Sequence, residues 1–314
     1  MMPLTRREFL SFLTTTTVAA GLMKPAKLFA KEPEDYDQNL SVFFADVHIN
    51  GDTIGQKHQK GKFEAWVAEI LKMNPLPARA FIFGDLAWLF GRAADYATSY
   101  PYIKQMEDAG IKVTIGMGNH DKRGPFLAQY PQYEKTTKSP GQIVSVVPLP
   151  GADFIMLDSL QEGKDKSNPV GGMLSKEQQD WLAESLPKWE RPFFLGAHHA
   201  GRELKIGTQG LNNFLFSCPK HAGFIHGHEH RWIQTWTRID YKHTKIHRTL
   251  GLPSTGHWGD IGYILFRELP DRFVATCVQK DFYFPSPRKP EERPAVWDAI
   301  AQEHNGQYCT FMKP

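Results

Sequence analysis

Cysteine is scarce in this chain of 314 residues, which has only Cys218, Cys277 and Cys309. Three cysteines, an odd number, do not make a disulfide framework, although one bridge is possible in an oxidising compartment. Stability must therefore come from an ordinary hydrophobic core. With 41% hydrophobic and 23% charged residues, the composition is typical of a globular protein of one large domain or two small ones, and we favour one.

Net charge is also small. The formal charge of +3 arises entirely within residues 1–30, so the rest of the chain is near neutral. Bulk charge therefore gives no reason to expect nucleic acid or an anionic membrane as a partner. The sequence contains no internal repeat and no low-complexity tract.

The N-terminus resembles a bacterial export signal. Residues 5–10, Thr-Arg-Arg-Glu-Phe-Leu, match the twin-arginine motif and precede a moderately apolar stretch that ends near Leu22. That stretch is too short and too rich in threonine for a stable membrane span, which needs roughly 20 apolar residues. We expect residues 1–30 to be a signal peptide cleaved after Ala30, and the protein to reach the periplasm through the twin-arginine export machinery. No cysteine lies in this segment, which argues against a lipoprotein anchor.

Five short segments each place metal-binding side chains after an apolar run. They are Asp46-Val47-His48, Gly84-Asp85, Gly118-Asn119-His120-Asp121, His198-His199 and Gly227-His228-Glu229-His230. The preceding runs are short, rich in β-branched or aromatic residues and bounded by turn residues, so each predicts a buried strand. Because sites in open α/β sheets assemble at the carboxyl ends of strands, we expect these segments to converge.

The donor set limits the metals. Carboxylate, amide oxygen and imidazole without thiolate suit Mn, Fe, Zn, Mg, Co or Ni, and argue against an iron–sulfur cluster or a cysteine-based zinc site. In an extended segment both ligands of Asp-x-His or His-x-His leave on the same side. That spacing fits either one ion or an adjacent pair.

Taken together, these motifs resemble those of the calcineurin-like metallophosphoesterases, over roughly residues 40–270. The resemblance implies an α/β fold of two packed mixed β-sheets flanked by helices, a four-layer sandwich. It also implies two divalent metal ions, of Mn, Fe, Zn or Mg. One ion would be bound by Asp46, His48 and His230, the other by Asn119, His198 and His228, and Asp85 would bridge them.

The same resemblance assigns His120 as the general acid. Of the adjacent pair His198-His199, the first is preferred as ligand because the family's ligand directly follows the strand. His199 would then face the substrate or support a ligand from behind. Further candidates for substrate binding, all on segments that flank a ligand motif, are Asn50, Arg92, His199, Arg202 and His257.

One position departs from the family pattern. The family usually has Asp or Asn three residues after the bridging aspartate, where this chain has Trp88. Tryptophan cannot orient the catalytic histidine, so the role of His120 requires another acceptor, with Asp121 and Asp95 as candidates. Otherwise Trp88 would simply line an apolar wall of the cleft.

The remaining segments complete the expected organisation. Residues 31–39 are expected to form a linker, 40–283 the phosphoesterase domain and 284–314 a C-terminal extension with a short helix near 295–303. Strands near 233–238, 249, 261–266 and 273–278 would complete a second sheet. Residues 174–186 predict an amphipathic helix that packs on a sheet, with Ser175 and Gln178 at capping-box spacing.

The expected pair of metal ions indicates an enzyme. Two close cations let a bridging water lose a proton near neutral pH and attack phosphorus, so the expected activity is hydrolysis of a phosphomonoester or diester. The alternative is a non-catalytic metal-binding scaffold with the same fold. A structural single-metal site is disfavoured because seven ligands exceed the four that structural zinc needs.

Overall fold

The computed structural model describes residues 35–51, 57–136, 138–162, 170–237, 247–256, 258–283 and 300–314. The predicted signal peptide, His257 and most of the helix predicted near 295–303 lie outside these ranges. Among the helices within them, none has the length and hydropathy needed to cross a bilayer.

The described elements alternate between strands and helices along most of the chain. In order they are β1 (Tyr36–Phe44), α1 (Lys57–Ile70), β2 (Leu76–Phe83), α2 (Ala93–Asp108), β3 (Lys112–Gly116), α3 (Arg123–Gln129), α4 (Gln132–Thr136), β4 (Ser145–Pro148), β5 (Asp153–Met156), α5 (Lys176–Ser185), a 3-10 turn (Leu186–Lys188), β6 (Phe193–Ala197), β7 (Lys205–Ile206), β8 (Gln209–Gly210), α6 (Leu211–Leu215), β9 (His221–His226), β10 (Ile233–Thr237), β11 (His247–Gly251), β12 (Gly259–Glu268), β13 (Arg272–Tyr283) and β14 (Tyr308–Met312).

These strands form two mixed six-stranded sheets. The first has the order β14-β13-β12-β1-β2-β3, and the second has the order β10-β11-β9-β6-β5-β4. In the first sheet β1, β2 and β3 are parallel neighbours, while β12 pairs antiparallel with β1. In the second sheet β5, β6, β9 and β11 are parallel. The parallel strands of each sheet therefore end at one edge.

Aromatic side chains hold the two sheets together. The ring of Phe43 on β1 lies 5.3 Å from that of Phe81, 4.8 Å from Phe266 and 5.5 Å from Phe154 on β5. The Phe154 ring in turn stacks 6.2 Å from Phe194 on β6. These residues are fully or almost fully buried, and aromatic pairs at such distances stabilise a core beyond the area they bury.

Alternation along each strand builds the outer layers. On β1, Val42 and Phe44 turn away from Phe43 and join a second cluster that includes Val67 of α1 and Ile103 of α2. Side chains alternate across a strand, so one strand can face both the other sheet and the helices. A third cluster packs α5 and α6 on the far side of the second sheet. The arrangement has four layers, and the predicted fold class is confirmed.

The predicted amphipathic helix is α5. Its N-cap is Ser175, whose hydroxyl accepts a hydrogen bond from the amide of Gln178 at 3.2 Å. The side chain of Gln178 does not complete the capping box, since it bonds instead to the backbone of Asp158. Leu182 and Leu186 are buried against the second sheet with Trp181 beside them, as predicted.

Three features of the first sheet differ from what the sequence predicts. β1 begins at Tyr36, so residues 36–39 belong to the first sheet rather than to a linker. β12 and β13 extend the first sheet through β1, whereas residues 261–266 and 273–278 were expected in the second sheet. β14 pairs with β13, so the C-terminal segment completes that sheet and is not an appended extension. For β12 and β13 the hydrophobic pattern identifies a strand but not its partner, whereas residues 36–39 and 308–312 are strands that the pattern does not predict.

Candidate metal centre

The predicted ligands meet where parallel strands of both sheets end. Asp46 and His48 follow β1, Asp85 follows β2, and Asn119 follows β3 in the first sheet. From the second sheet, His198 follows β6, and the pair His228 and His230 follows β9. Because the sheets are stacked, five loops that are far apart in sequence share one rim of the molecule.

Asp46, His48 and His230 form one group of ligand atoms. The Nε2 of His230 lies 3.1 Å from Oδ1 of Asp46, and the Nε2 of His48 lies 4.0 Å from the same oxygen. Potential ligand atoms of all three lie within 4.8 Å of one another, and all three residues are buried. This spacing fits a single cation held by two imidazoles and a carboxylate.

His198, Asn119 and His228 form the second group. The Nε2 of His198 lies 3.0 Å from Oδ1 of Asn119 and 3.2 Å from Nδ1 of His228. The carboxylate of Asp85 stands between the groups, with Oδ2 at 3.3 Å from Nε2 of His198 and at 3.6 Å from Nε2 of His48. All seven predicted ligands are thus brought together, with Asp85 placed where a bridging ligand would lie.

Backbone carbonyls fix the rings of three of these histidines. The carbonyl oxygens of Trp88, Phe83 and Trp258 lie 3.0, 2.8 and 3.0 Å from the Nδ1 atoms of His48, His198 and His230. A carbonyl can only accept, so each Nδ1 carries a proton and each Nε2 points its binding site at the cluster. Such a partner on the far nitrogen is the usual way in which proteins orient metal-binding histidines.

The buried charges depend strongly on one another. Burial alone would raise the pKa of Asp46, but the adjacent His230 holds it at about 2. His198 holds the pKa of Asp85 well below its ordinary value against the same effect of burial. Burial lowers the pKa of His48 and of His228 to about 4 each. Two ionised carboxylates beside neutral imidazoles are the protonation states that divalent cations bind.

His198 differs from His48 and His228. Burial opposes its protonation, but the carboxylates of Asp85 and Asp46 raise its pKa to about 10. A cation bound at Nε2 would take the place of that proton. The donor chemistry of the cluster therefore fits divalent metal ions, with one proton to be displaced.

Backbone strain is concentrated on the same residues. Five non-glycine residues in the described ranges have positive φ, between 49° and 68°. All five are predicted metal ligands: Asp46, His48, Asp85, His228 and His230. Each such residue costs on the order of 1–3 kcal/mol and persists only where its surroundings hold it in place. The fold therefore gives up stability at this rim to aim these side chains inward.

Two glycines allow the loops after β2 and β3 to touch. Gly84 has a φ of 78°, and a Cβ there would lie 2.6 Å from the amide nitrogen of Gly118. A Cβ on Gly118 would lie 2.2 Å from Oδ1 of Asp85. Because neither glycine has a Cβ, the backbone of both loops can approach the Asp85 carboxylate closely.

Asp121 clamps these two loops from behind. Its carboxylate accepts hydrogen bonds from the amides of Gly118 at 3.0 Å and Ala87 at 3.1 Å, and from the hydroxyl of Tyr96 at 3.1 Å. The amide of Leu86 donates to it at 3.4 Å. Burial and the charge of Asp85 raise the pKa of Asp121 to about 7. Asp121 therefore supports the loops of Asp85 and Asn119 and is not the partner of His120.

His120 lies at the more open side of the cluster. Its side chain is 23% exposed, and its Nε2 lies 3.9 Å from Oδ2 of Asp85. Its Nδ1 has no hydrogen-bond partner among the described residues. Asp95, the other candidate acceptor, receives the amides of Gly51 and Arg92 instead. Neither predicted acceptor orients the His120 ring.

The residues that the sequence predicts to bind substrate lie in different environments. His199 is buried, and its Nδ1 and Nε2 lie 2.8 Å from Oγ of Ser159 and 3.1 Å from the carbonyl of Val170. Its ring lies 4.9 Å from that of His198 and 4.8 Å from that of His228, and one ligand atom of each of the three lies within 4.8 Å of the others. Arg202, with a side chain 65% exposed, forms an ion pair with Glu229 at the surface. His257 lies outside the described residues.

Asn50 and Arg92 do come together. Both line a cavity beside Trp88, whose side chain is half-buried and whose ring lies edge-on to that of His48 at 5.9 Å. The expectation that Trp88 would line a wall next to the ligands therefore agrees with its position. Its backbone carbonyl has a further task in orienting His48, which no side-chain pattern could reveal.

Sequence reasoning did not find Trp258, Ser254 or Tyr96. The Trp258 ring stacks on His230 at 4.3 Å, and the hydroxyl of Ser254 donates to the carbonyl of Asp46 at 3.0 Å. Ser254 and Trp258 precede β12 and Tyr96 is in α2, far in sequence from the ligands they support. Only the pairing of β12 with β1 explains why the first two are near the site.

Comparisons with known proteins show the family and the fold of this chain. The sequence model described as calcineurin-like phosphoesterase matches residues 41–232. A dimetal phosphatase from Danio rerio aligns with a TM-score of 0.59 and 14% identity, over 76% of this chain and 95% of that chain. The search of curated proteins finds no match.

Two further solved structures align less closely. The protein TT1561 of Thermus thermophilus gives a TM-score of 0.46 and 10% identity, over 73% of this chain and 94% of that one. Vps29 of Chaetomium thermophilum gives a TM-score of 0.39 and 13% identity, over 88% of this chain and 95% of that one. At 14% identity, the likeness to the dimetal phosphatase shows the fold alone.

Because Asp121 links the two loops that carry predicted ligands, changing it should lower metal affinity although Asp121 is not itself a predicted ligand. Asp121→Asn replaces one acceptor oxygen with an amino group that faces donors, so the loops of Asp85 and Asn119 should shift. We expect metal affinity to fall about 10–100-fold, as for other residues that orient ligands. Titration calorimetry with Mn²⁺ measures this. Tyr96→Phe, which removes one of the donors and keeps both oxygens, is the control and should lose much less. Wild-type affinity in Asp121→Asn would contradict the clamp.

Proposed function

We propose that this chain, which belongs to the calcineurin-like phosphoesterase family, hydrolyses phosphate esters at a centre of two divalent metal ions. The observation that supports this most is the position of Asp85. Its carboxylate lies between two groups of three further ligands, within 3.6 Å of a histidine from each. A site for one ion would not need both groups. The overall likeness to a structure described as a dimetal phosphatase agrees with this proposal.

In this proposal the two groups bind one ion each. Asp46, His48 and His230 would bind the first, Asn119, His198 and His228 the second, and Asp85 both. When bound, such a pair of cations lowers the pKa of a coordinated water and neutralises charge on the phosphoryl oxygens. The chain's own contribution is to hold the carboxylates, the amide and the imidazoles close together in a largely buried space.

His120 is the proposed proton donor to the leaving oxygen. Its side chain is 23% exposed, whereas those of His48 and His198 are buried, and its ring lies 4.9 Å from that of His48. A group at this position can reach a substrate oxygen on the open side of the centre. Its backbone amide donates to Oδ1 of Asp85 at 2.8 Å, which fixes the main chain at this position.

Asn50 and Arg92 are the proposed substrate contacts among the described residues. Both line the cavity next to Trp88, on the same side of the centre as His48. A guanidinium there can bind a phosphate oxygen with two hydrogen bonds. Export through the twin-arginine pathway, with a periplasmic site of action, stays a prediction that rests on residues 5–10.

Hydrolysis itself is tested with a screen of phosphate monoesters and diesters. We expect metal-reconstituted protein to hydrolyse at least one class, and Asp85→Asn to lose about 10³-fold or more in kcat, since removal of one preorganised electrostatic group alone costs about 10²–10³. Asp271→Asn, which changes an aspartate with a 60% exposed side chain, is the matched control. Metal binding by wild-type protein without any hydrolysis would instead favour a non-catalytic scaffold.

The role of His120 is tested by the acidity of the leaving group. If His120 protonates that group, His120→Ala should slow alkyl esters by about 10²–10⁴ and p-nitrophenyl esters far less, since p-nitrophenolate leaves without a proton. Metal content, measured by elemental analysis, should stay the same. Equal slowing of both ester types with metals retained would show that His120 positions the substrate. Loss of metal would show that it is a ligand.

A further inference from the structure

A cavity of about 120 Å³ opens beside the metal centre. Its lining combines an apolar wall with two polar groups and one carboxylate: Trp88, Leu89, Phe90, Asn50, Arg92 and Asp95. Two of the loops that line it, after β1 and after β2, are also the loops that carry proposed metal ligands. We call it the side cavity.

The side cavity borders directly on a ligand. The carbonyl of Trp88 lies 3.0 Å from Nδ1 of His48, and the Trp88 ring meets the His48 ring at 5.9 Å with an interplanar angle of 78°. The Trp88 ring therefore contacts both the His48 ring and the side cavity. A molecule anchored on the centre through its phosphate would have its next atoms at this wall.

Two consecutive apolar side chains are displayed at the mouth. Leu89 is 42% exposed and Phe90 is 57% exposed, although each would gain about 1.5–3 kcal/mol from full burial. Single exposed apolar residues are ordinary, but an adjacent group next to a site indicates a binding surface. The Arg92 guanidinium lies 5.6 Å over the Phe90 ring, an attraction that holds the ring in place.

The frame of the side cavity is fixed by Asp95. One carboxylate oxygen accepts from the amide of Gly51 at 2.8 Å, and the other accepts from the amide of Arg92 at 3.3 Å. These bonds tie the loop after β1 to the start of α2, and Asp95 itself is 2% exposed. The opposing walls are thus held at a set distance, as a preformed subsite requires.

We propose that the side cavity receives a planar aromatic ring in the alcohol portion of the substrate, so that the enzyme prefers phosphate esters of aromatic alcohols. This inference rests on the proposed function. An apolar cavity of roughly 150 Å³ accepts a benzene molecule, so the volume suits one ring with part of it at the open mouth. Trp88 and Phe90 offer faces and edges to such a ring, and the Arg92 guanidinium lies over the Phe90 ring at the mouth.

The preference is tested with esters of three alcohols that differ chiefly in the ring. Benzyl, cyclohexylmethyl and butyl phosphate are all esters of primary alcohols, used as monoesters or as methyl diesters according to what the enzyme hydrolyses. We expect kcat/KM for benzyl phosphate to exceed that for cyclohexylmethyl phosphate about 3- to 10-fold, the range of an aromatic pair. Adenosine 5′-monophosphate tells whether a nucleobase can supply the ring. Equal kcat/KM values for the benzyl and cyclohexylmethyl esters would overturn the proposal.

A variant at the mouth links the preference to the side cavity. Phe90→Ala changes a largely exposed residue, so folding should survive, and we expect the ratio of benzyl to cyclohexylmethyl kcat/KM to fall towards one through KM. Trp236→Ala removes an aromatic residue that is 69% exposed on β10 and should leave the ratio unchanged. An unchanged ratio in Phe90→Ala would overturn the assignment to this cavity.

Binding separates this inference from the proposed function. Titration calorimetry on Mn²⁺-loaded protein with benzylphosphonate and cyclohexylmethylphosphonate requires no hydrolysis. Tighter binding of the benzyl compound, lost in Phe90→Ala, would uphold the side cavity even if no ester were hydrolysed. Hydrolysis without any preference in rate or binding would reject the side cavity and leave the proposed function standing. Equal or absent binding of both phosphonates, with no hydrolysis, would reject both.

Discussion

The attraction between two buried carboxylates and the cationic charge around them governs this structure. Asp46 and Asp85 are almost wholly removed from water, and their pKa values are held low by His230 and His198 against the effect of burial. Ionised carboxylates in such surroundings are costly unless they are paired or bind metal. The strained φ angles of five predicted ligands and the close approach at Gly118 are explained if bound cations offset that cost.

The rest of the fold serves to hold these groups at one rim. The edge-to-face contact of Phe43 on β1 with Phe154 on β5 packs the two sheets together and hence keeps the strand ends of both sheets close. Asp121 joins the loops after β2 and β3, and Ser254 and Trp258 support the loops after β1 and β9. The ligands themselves are short side chains with little reach. Their convergence is therefore a property of the packed sheets.

Much of this could be predicted from sequence because the ligands directly follow short apolar runs. The order of the motifs predicted a shared rim, and the position of His198 right after its strand separated it from His199. The structure places His198 within 3.3 Å of Asp85 and turns His199 to Ser159 and Val170. The ligand roles stay predictions, while the predicted fold is the one observed.

What could not be predicted depends on pairing and on backbone atoms. The hydrophobic pattern of residues 261–266 and 273–278 is the same whichever sheet they join, so their assignment to the second sheet was wrong. Every residue has a carbonyl, so nothing marks those of Phe83, Trp88 and Trp258 as partners of histidines. Likewise, Asp121 belongs to a ligand motif, but the sequence does not reveal that its partners include the amides of Leu86 and Ala87 in another loop. Such contacts emerge only when the loops are in place.

Anomalous diffraction from crystals grown with Mn²⁺ tests the central claim most directly. If Asp85 joins two metal sites, the map should contain two peaks about 3.5–4 Å apart, one on either side of its carboxylate. One peak should lie against Asp46, His48 and His230, and the other against Asn119, His198 and His228. A single peak at saturating Mn²⁺, or two peaks that do not share Asp85, would contradict the account.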